Sequence, residues 1–419
     1  MTRLNVQAIE KNALENVSRQ GKLSKQKSMV PLMAYTSLFV TLGFILLQAL
    51  HDIGSAHLHF VRRVNDAQSN PPVYLDFVND EDLKRGGLQA LKSNTPYLFK
   101  NPHDGEGYLC FQVWHPPPSV ELSSAPPVVY FAGLGGSRLE HFISSGDSQD
   151  RVVITIDRPG LGRSSRLVGA VPPSFFPPSV RYGQVSSVVS SLLVSLGVQS
   201  YSLVGWSSGG PYALGLYRHA PLAVASVSLV ASDPPWGAVP WQTVLSSPLH
   251  LSLLLLARLC PYPHHIGLVV NALANVAAGW TKVRRGDEAE HVSKSFAEGL
   301  REGSESATAL GEEFLAERDG GWAALLLDTF GTAAAAAATS AAKTKATTTT
   351  TTGEEEGESA PPVYIYHSPG DRVVPFASAT FLQRSIKGAT LVTMPPMHVF
   401  TREEGHYIMR KHWADIVYY

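Results

Sequence analysis

The chain has 419 residues, 44% of them hydrophobic, so it can bury a full-sized core in one large domain and still carry appendages. Its formal net charge is −1 and only 16% of residues are charged, so no strong field invites nucleic acid, and that partner class is excluded. Two cysteines, Cys110 and Cys260, lack metal-ligand spacing; no disulfide framework can hold the protein, and one bridge between them is the only pairing on offer.

Residues 1–28 form a polar leader in which Arg3, Lys11, Arg19, Lys22, Lys25 and Lys27 face only Glu10 and Glu15. The run from Met29 to Leu50 then carries no charge at all. At about 1.5 Å of rise per residue it makes roughly 30 Å of helix, the thickness of a bilayer core. It is apolar all round, as lipid requires, so residues 29–50 are expected to be a single-pass transmembrane anchor. The basic leader outweighs Arg62 and Arg63 beyond the run, which predicts a cytoplasmic N-terminus and an exoplasmic or lumenal body. The one glycosylation sequon, Asn16-Val17-Ser18, falls on the cytoplasmic side of that scheme. His51, His57 and His59 just beyond the run are expected as solvated or headgroup-facing residues rather than metal ligands.

Residues 51–96 read as a connector with a short helix near Glu81–Leu91. Tyr97–Lys100 and Tyr108–Trp114 are expected to form an opening hairpin across the turn-rich segment 101–107. Val128–Ala132 and Val152–Ile156 are continuous apolar strands. The first runs into Gly133-Leu134-Gly135-Gly136-Ser137, the second into Asp157-Arg158-Pro159-Gly160-Leu161-Gly162-Arg163-Ser164. A helix near Val185–Leu196 precedes a strand at Leu203-Val204, a Gly205-Trp206-Ser207-Ser208-Gly209 turn and a helix of small and apolar residues. Ala225–Val230 is the next strand. Apolar strands alternating with helices predict a mostly parallel α/β sheet covered on both faces.

After Asp233-Pro234-Pro235-Trp236 the alternation stops. Residues 239–331 read as helices (Leu251–Leu259, Ile266–Trp280, Glu288–Leu300), expected to lie over the strand ends as a lid. Residues 332–360 hold an alanine run, a threonine run and an acidic stretch, too poor in apolar side chains to pack, and are expected as a disordered loop. The sheet resumes at Val363–Tyr366, followed by a helix near Ala377–Ile386, a strand at Thr390–Thr393 and a last helix. Residues 97–238 and 361–419 therefore make the core.

Gly-x-Ser-x-Gly between a strand and a helix is the pattern of a nucleophile elbow. The serine takes a strained turn that lifts its hydroxyl clear of the sheet, and the glycines let strand and helix pass closely. Ser207 is the candidate nucleophile. The helix behind it would aim free N–H groups at developing negative charge.

This order of elements resembles the α/β-hydrolase fold over about residues 97–419, apart from the lid and the low-complexity loop. Four motifs carry the resemblance. Phe131–Ser137 is similar to the family's His-Gly-x-Pro-Gly-Ser loop, with Ala132 in place of the usual histidine and Gly135 of the usual proline. Asp157–Gly162 is similar to its Asp-x-Pro-Gly-x-Gly loop. The elbow Gly205–Leu214 is the third. Ser368-Pro369-Gly370-Asp371-Arg372-Val373-Val374-Pro375 resembles the loop of the catalytic acid.

The resemblance implies a Ser–acid–His triad, in which a base activates the serine and a carboxylate orients the base. Asp371 is the candidate acid and Asp233 its alternative. For the base, His406 lies in a Gly-His segment like the family's, and His398 lies directly after the last strand; His406 is preferred and His398 stays open. The oxyanion donors would be the backbone N–H groups of Ser208 and Leu134. Arg163 and the Asp157 loop would brace the site. No cofactor or metal is implied. The expected function is a membrane-anchored serine hydrolase cleaving carboxylic esters of apolar, lipid-like small molecules. An amidase or aminopeptidase on the same machinery is one alternative, and a catalytically inactive binding or scaffold protein is another.

Overall fold

The computed structural model describes residues 78, 86–103, 107–116, 124–139, 150–166, 179–235, 262–270, 295, 298, 299, 304–318, 321–330, 360–371, 373–394, 413 and 416. All of them belong to one compact unit, Val73–Tyr419. The expected anchor at 29–50, the three histidines after it, the helix Leu251–Leu259, nearly all of the low-complexity loop, His398 and His406 lie outside the described residues. Among the described residues no helix is long and apolar enough to cross a membrane.

The strands are β1 (Thr95–Lys100), β2 (Tyr108–Trp114), β3 (Val128–Phe131), β4 (Val153–Ile156), β5 (Tyr201–Trp206), β6 (Val224–Val230), β7 (Val363–His367) and β8 (Thr390–Thr393). They form one sheet in the order β1-β2-β4-β3-β5-β6-β7-β8. β2 runs antiparallel to both neighbours, and every pair from β4 to β8 is parallel. Side chains alternate between the faces, as the period of two demands. In β3, Val129 and Phe131 enter one core cluster while Val128 and Tyr130 enter another. Both faces are therefore apolar, and the central strands β3, β4 and β5 are buried along their whole length.

One face is covered by α1 (Ser179–Ser195), α2 (Gly210–His219), α5 (Gly321–Phe330) and α6 (Phe376–Ser385). α1 meets α2 at Gly215, where a Cβ would come within 3.2 Å of the Tyr182 Cβ, and Tyr182 packs edge-on to Tyr212 at 5.0 Å between ring centroids. Against the other face lie Trp413 and Ile416, both helical and buried, where the sequence places the last helix. A third cluster joins α3 (263–270) to α4 (Ser304–Arg318): Ile266, Val270, Leu310 and Phe314 pack there with Leu161. Gly267 and Gly311 stand where these two helices touch, since a Cβ at either would strike the backbone of Ala307 or of Pro263.

Two boundaries differ from the sequence reading. α5 falls in the stretch assigned to the lid, yet Trp322, Leu325 and Leu326, spaced to share one helix stripe, are buried in the core beneath the sheet. The end of the connector also belongs to the core. Leu88 and Leu91 are buried there, and Leu88 N–H donates to Leu196 O at 3.0 Å. Of the short helix expected near Glu81–Leu91, residues 81–85 lie outside the described residues; Gly86 is helical, and Gly87–Ala90 continue as one 3₁₀ turn that Gly87 enters at φ +52°. The possible disulfide is also corrected: Cys110 is a free, buried thiol on β2.

Candidate active site

β5 lies between β3 and β6 in the middle of the sheet, and the chain reverses at its end. Ser207 follows β5 at once with φ +52°, a left-handed conformation that costs a residue with a Cβ about 1–2 kcal/mol. Close packing holds it there. A Cβ on Gly205 would lie 2.7 Å from Gly209 O and from the Gly210 Cα, and one on Gly209 would lie 2.7 Å from Ala132 O. Ser232 Oγ donates to the Ser207 carbonyl at 3.1 Å, fixing the elbow to the end of β6. α2 then starts at Gly210 with Pro211 in its first turn, where the missing N–H has no cost. Ser207 retains 6% exposure, whereas Ser208 is fully buried and its hydroxyl has no hydrogen-bond partner among the described residues.

The turn after β3 comes up beside the elbow. A Cβ on Gly133 would sit 2.9 Å from the Trp206 ring and 3.3 Å from Ser207 Cβ, so only glycine lets this loop approach the serine. Gly136 N–H donates to Gly133 O at 2.9 Å and closes the turn. Leu134 is half-buried against the third cluster, beneath α3 and α4. The structure thus brings Ser207, Ser208 and the segment carrying Leu134 together.

Asp371 lies just beyond β7, two strands from β5, and is buried. Its Oδ1 accepts the N–H groups of Val373 at 2.8 Å and Val374 at 2.9 Å, while Oδ2 lies 3.6 Å from Nε2 of His367. His367, buried at the end of β7, also pairs Nε2 with Val374 O at 3.0 Å, so it braces the loop that presents Asp371. Asp233, the alternative acid, follows β6 on the same edge of the sheet; it is half-buried, and its carbonyl accepts Trp322 Nε1 at 2.8 Å. Neither candidate base is among the described residues.

The sequence reading missed a set of buried charges around these loops. Asp157, at the end of β4, takes Arg138 N–H on Oδ1 at 2.6 Å, and on Oδ2 it takes Arg138 Nη1 at 2.5 Å and Arg163 N–H at 3.0 Å. Burial pushes the Asp157 carboxyl up against the pull of Arg138. Glu298 Oε1 accepts both Arg138 Nη2 and Arg163 Nε at 2.8 Å. Burial also acts to raise its carboxyl, but the Arg138 charge and the hydrogen bonds from both arginines outweigh that, so it lies below the usual carboxylate range. Arg158 and Glu313 form a second pair, Nε to Oε1 at 2.9 Å, with both side chains fully buried. Arg163 was foreseen as a brace; Arg138, Glu298 and Glu313 had no motif to announce them, and Arg158 was read only as part of its loop. Cys110 is no rival nucleophile: burial, then the nearby Asp157 carboxylate, holds its thiol far above the ordinary range.

No curated protein matches this sequence. Solved structures similar in fold include a thermophilic esterase from Thermogutta terrifontis, at 15% identity over 77% of this chain and 99% of that one, with a TM-score of 0.45. An esterase from Exiguobacterium antarcticum is similar at 15% identity, 76% and 95% coverage and a TM-score of 0.47. A 2-hydroxy-6-oxo-6-phenylhexa-2,4-dienoate hydrolase from Rhodococcus sp. strain RHA1 is similar at 19% identity, 77% and 96% coverage and a TM-score of 0.46. A sequence model of one family, described as the alpha/beta hydrolase fold, matches residues 126–400, which is more than half of the chain. Sheet order, strand directions and this match agree: the chain belongs to the α/β-hydrolase fold family.

Proposed function

We propose that the protein is a serine hydrolase that cleaves carboxylic esters through an acyl-enzyme on Ser207. The observation that carries this reading is the backbone of Ser207 itself. A non-glycine residue is held at φ +52° between a central strand and a helix N-terminus, by contacts that leave no room for a relaxed turn. Strain of this kind needs a surrounding structure that enforces it, and here it lifts one hydroxyl above the sheet.

In this mechanism a histidine takes the Ser207 proton as Oγ attacks the ester carbonyl, and the carbonyl oxygen becomes an oxyanion facing the N–H groups of Ser208 and Leu134. Collapse expels the alcohol, which receives the proton from the histidine; water then repeats the sequence on the acyl-enzyme and releases the acid. Asp371 orients the histidine. His406 is the base we propose, with His398 as the alternative. The third cluster, lying over Leu134, supports a cap of apolar helices and hence an apolar acyl or alcohol group in the substrate.

Fluorophosphonate labelling and turnover of a p-nitrophenyl ester test the reading. Ser207→Ala should abolish labelling and lower turnover by about 10⁶-fold, and His406→Ala should do nearly the same because nucleophile and base fail as a unit. His398→Ala should keep most of the activity. The reverse pattern for the two histidines would assign the base to His398. A folded wild-type chain that neither labels nor turns over an ester would leave the binding or scaffold reading in place.

A further inference from the structure

Arg158 is fully buried on the loop after β4, yet its guanidinium reaches across to the loop after β3. Nη1 donates to Ala132 O, and Nη2 donates to Gly133 O at 2.8 Å. Nε and Nη2 face Glu313 of α4, at 2.9 Å to Oε1 and 3.4 Å to Oε2. The guanidinium carbon sits 5.3 Å from the centroid of the Tyr212 ring on α2. One side chain therefore ties together the loop after β3, the helix behind the nucleophile, and α4 from the third cluster.

The Gly133 carbonyl and the Leu134 N–H belong to one planar peptide unit. In a trans peptide they point to opposite sides, so a donor anchored on the carbonyl fixes the direction of the N–H. A cationic donor also polarises the unit and makes that N–H a stronger donor in turn. The Ala132 side chain is a methyl and offers this loop no hydrogen bond, which leaves Arg158 as the cation that holds both carbonyls.

We propose that Arg158, held by Glu313, is a positioning residue for the oxyanion hole: it locks the Gly133–Leu134 peptide so that the Leu134 N–H meets the substrate oxygen as it becomes negative. This rests on the ester-hydrolase reading. It makes α4 part of the catalytic framework, because α4 supplies the counter-ion on which Arg158 depends. Its effect belongs to the transition state, where the charge develops, and leaves ground-state binding largely alone.

The test uses the full-length chain and p-nitrophenyl butyrate, with melting temperature followed in parallel. Arg158→Met should lower kcat by about 10²-fold, the effect expected for a lost or misdirected oxyanion donor, and change KM by less than about threefold. Arg158→Lys, which restores a cation and one carbonyl contact, should recover part of kcat. The double variant Arg158→Met/Glu313→Leu removes the stranded carboxylate as well; it should regain melting temperature while kcat stays low. If kcat returns with stability in the double variant, or if folded Arg158→Met keeps wild-type kcat, Arg158 is structural only and the proposal is overturned. If Arg158→Met does not fold, Glu313→Gln and the double variant give the same comparison. Absence of turnover in the wild type instead defeats the ester-hydrolase reading itself.

Discussion

Ser207 and Ser208 are neighbours with opposite circumstances. Ser207 is lifted to the edge of the sheet, while Ser208 is sealed beneath it with a hydroxyl that no group among the described residues satisfies. A buried, unpaired hydroxyl costs about 1–3 kcal/mol of desolvation, and its removal leaves only a very small void. Ser208→Ala should therefore unfold within about 0.5 kcal/mol of wild type or later, and it should keep ester turnover, since the proposed oxyanion donor is the backbone N–H. Urea unfolding measures the first and a p-nitrophenyl ester the second. A loss above about 1 kcal/mol would mean that this hydroxyl has a bond to lose. Arg158 and Glu313 are the contrary case: two charges whose burial is tolerable only because each answers the other, so that removing one alone costs about 3–5 kcal/mol.

At the scale of elements, the helices after residue 239 divide into two kinds. α3 and α4 pack on one another around their own small cluster above the loop that carries Leu134. α5 follows α4 almost without a break, yet it turns down to the face already covered by α1 and α2. Trp322 anchors it, fully buried, with its indole N–H satisfied by Asp233 O at 2.8 Å. Trp322→Ala should cost about 3–5 kcal/mol of global stability, a core-sized effect. A loss below about 1 kcal/mol in a thermal or denaturant melt would return α5 to the lid. Nothing in residues 239–331 announces this division, because apolar stripes at helical spacing look alike whether they face a sheet or another helix.

For the whole molecule, the segment with Ser295, Glu298 and Gly299 is fastened to the loops after β3 and β4 rather than laid over them. Ser137 N–H donates to Ser295 Oγ at 2.9 Å, Gly162 N–H donates to Gly299 O at 2.8 Å, and Glu298 joins Arg138 to Arg163. The Glu298 carboxyl is lower in the folded chain than its unfolded value of about 4.3, so its contribution is fully present above that pH. It is lost as pH falls through the folded value. The difference in melting temperature between wild type and Glu298→Gln should accordingly be largest near neutral pH and vanish in strong acid. A difference that stays constant from about pH 7 to pH 3 would show that the ionised carboxylate is not what holds this fastening.

The sequence by itself determined the strands, their order along the chain and the residue at the elbow. These depend on local signals: runs of apolar residues, turn-forming glycines, and a serine between a strand and a helix. It also singled out Asp371 as a candidate, on a loop after an apolar strand from which a side chain can reach the sheet edge. Only the tertiary structure decided that α5 is core, that Leu88 and Leu91 close the end of α1, and that Cys110 is a free, buried thiol. It alone brought Arg138, Arg158, Glu298 and Glu313 together, from positions as far apart as 155 and 160 residues. The physical reason is one of range. Backbone propensity and periodicity act over a few residues, while the pairing of buried charges is set by which loops the sheet delivers to one edge, and no local pattern records that.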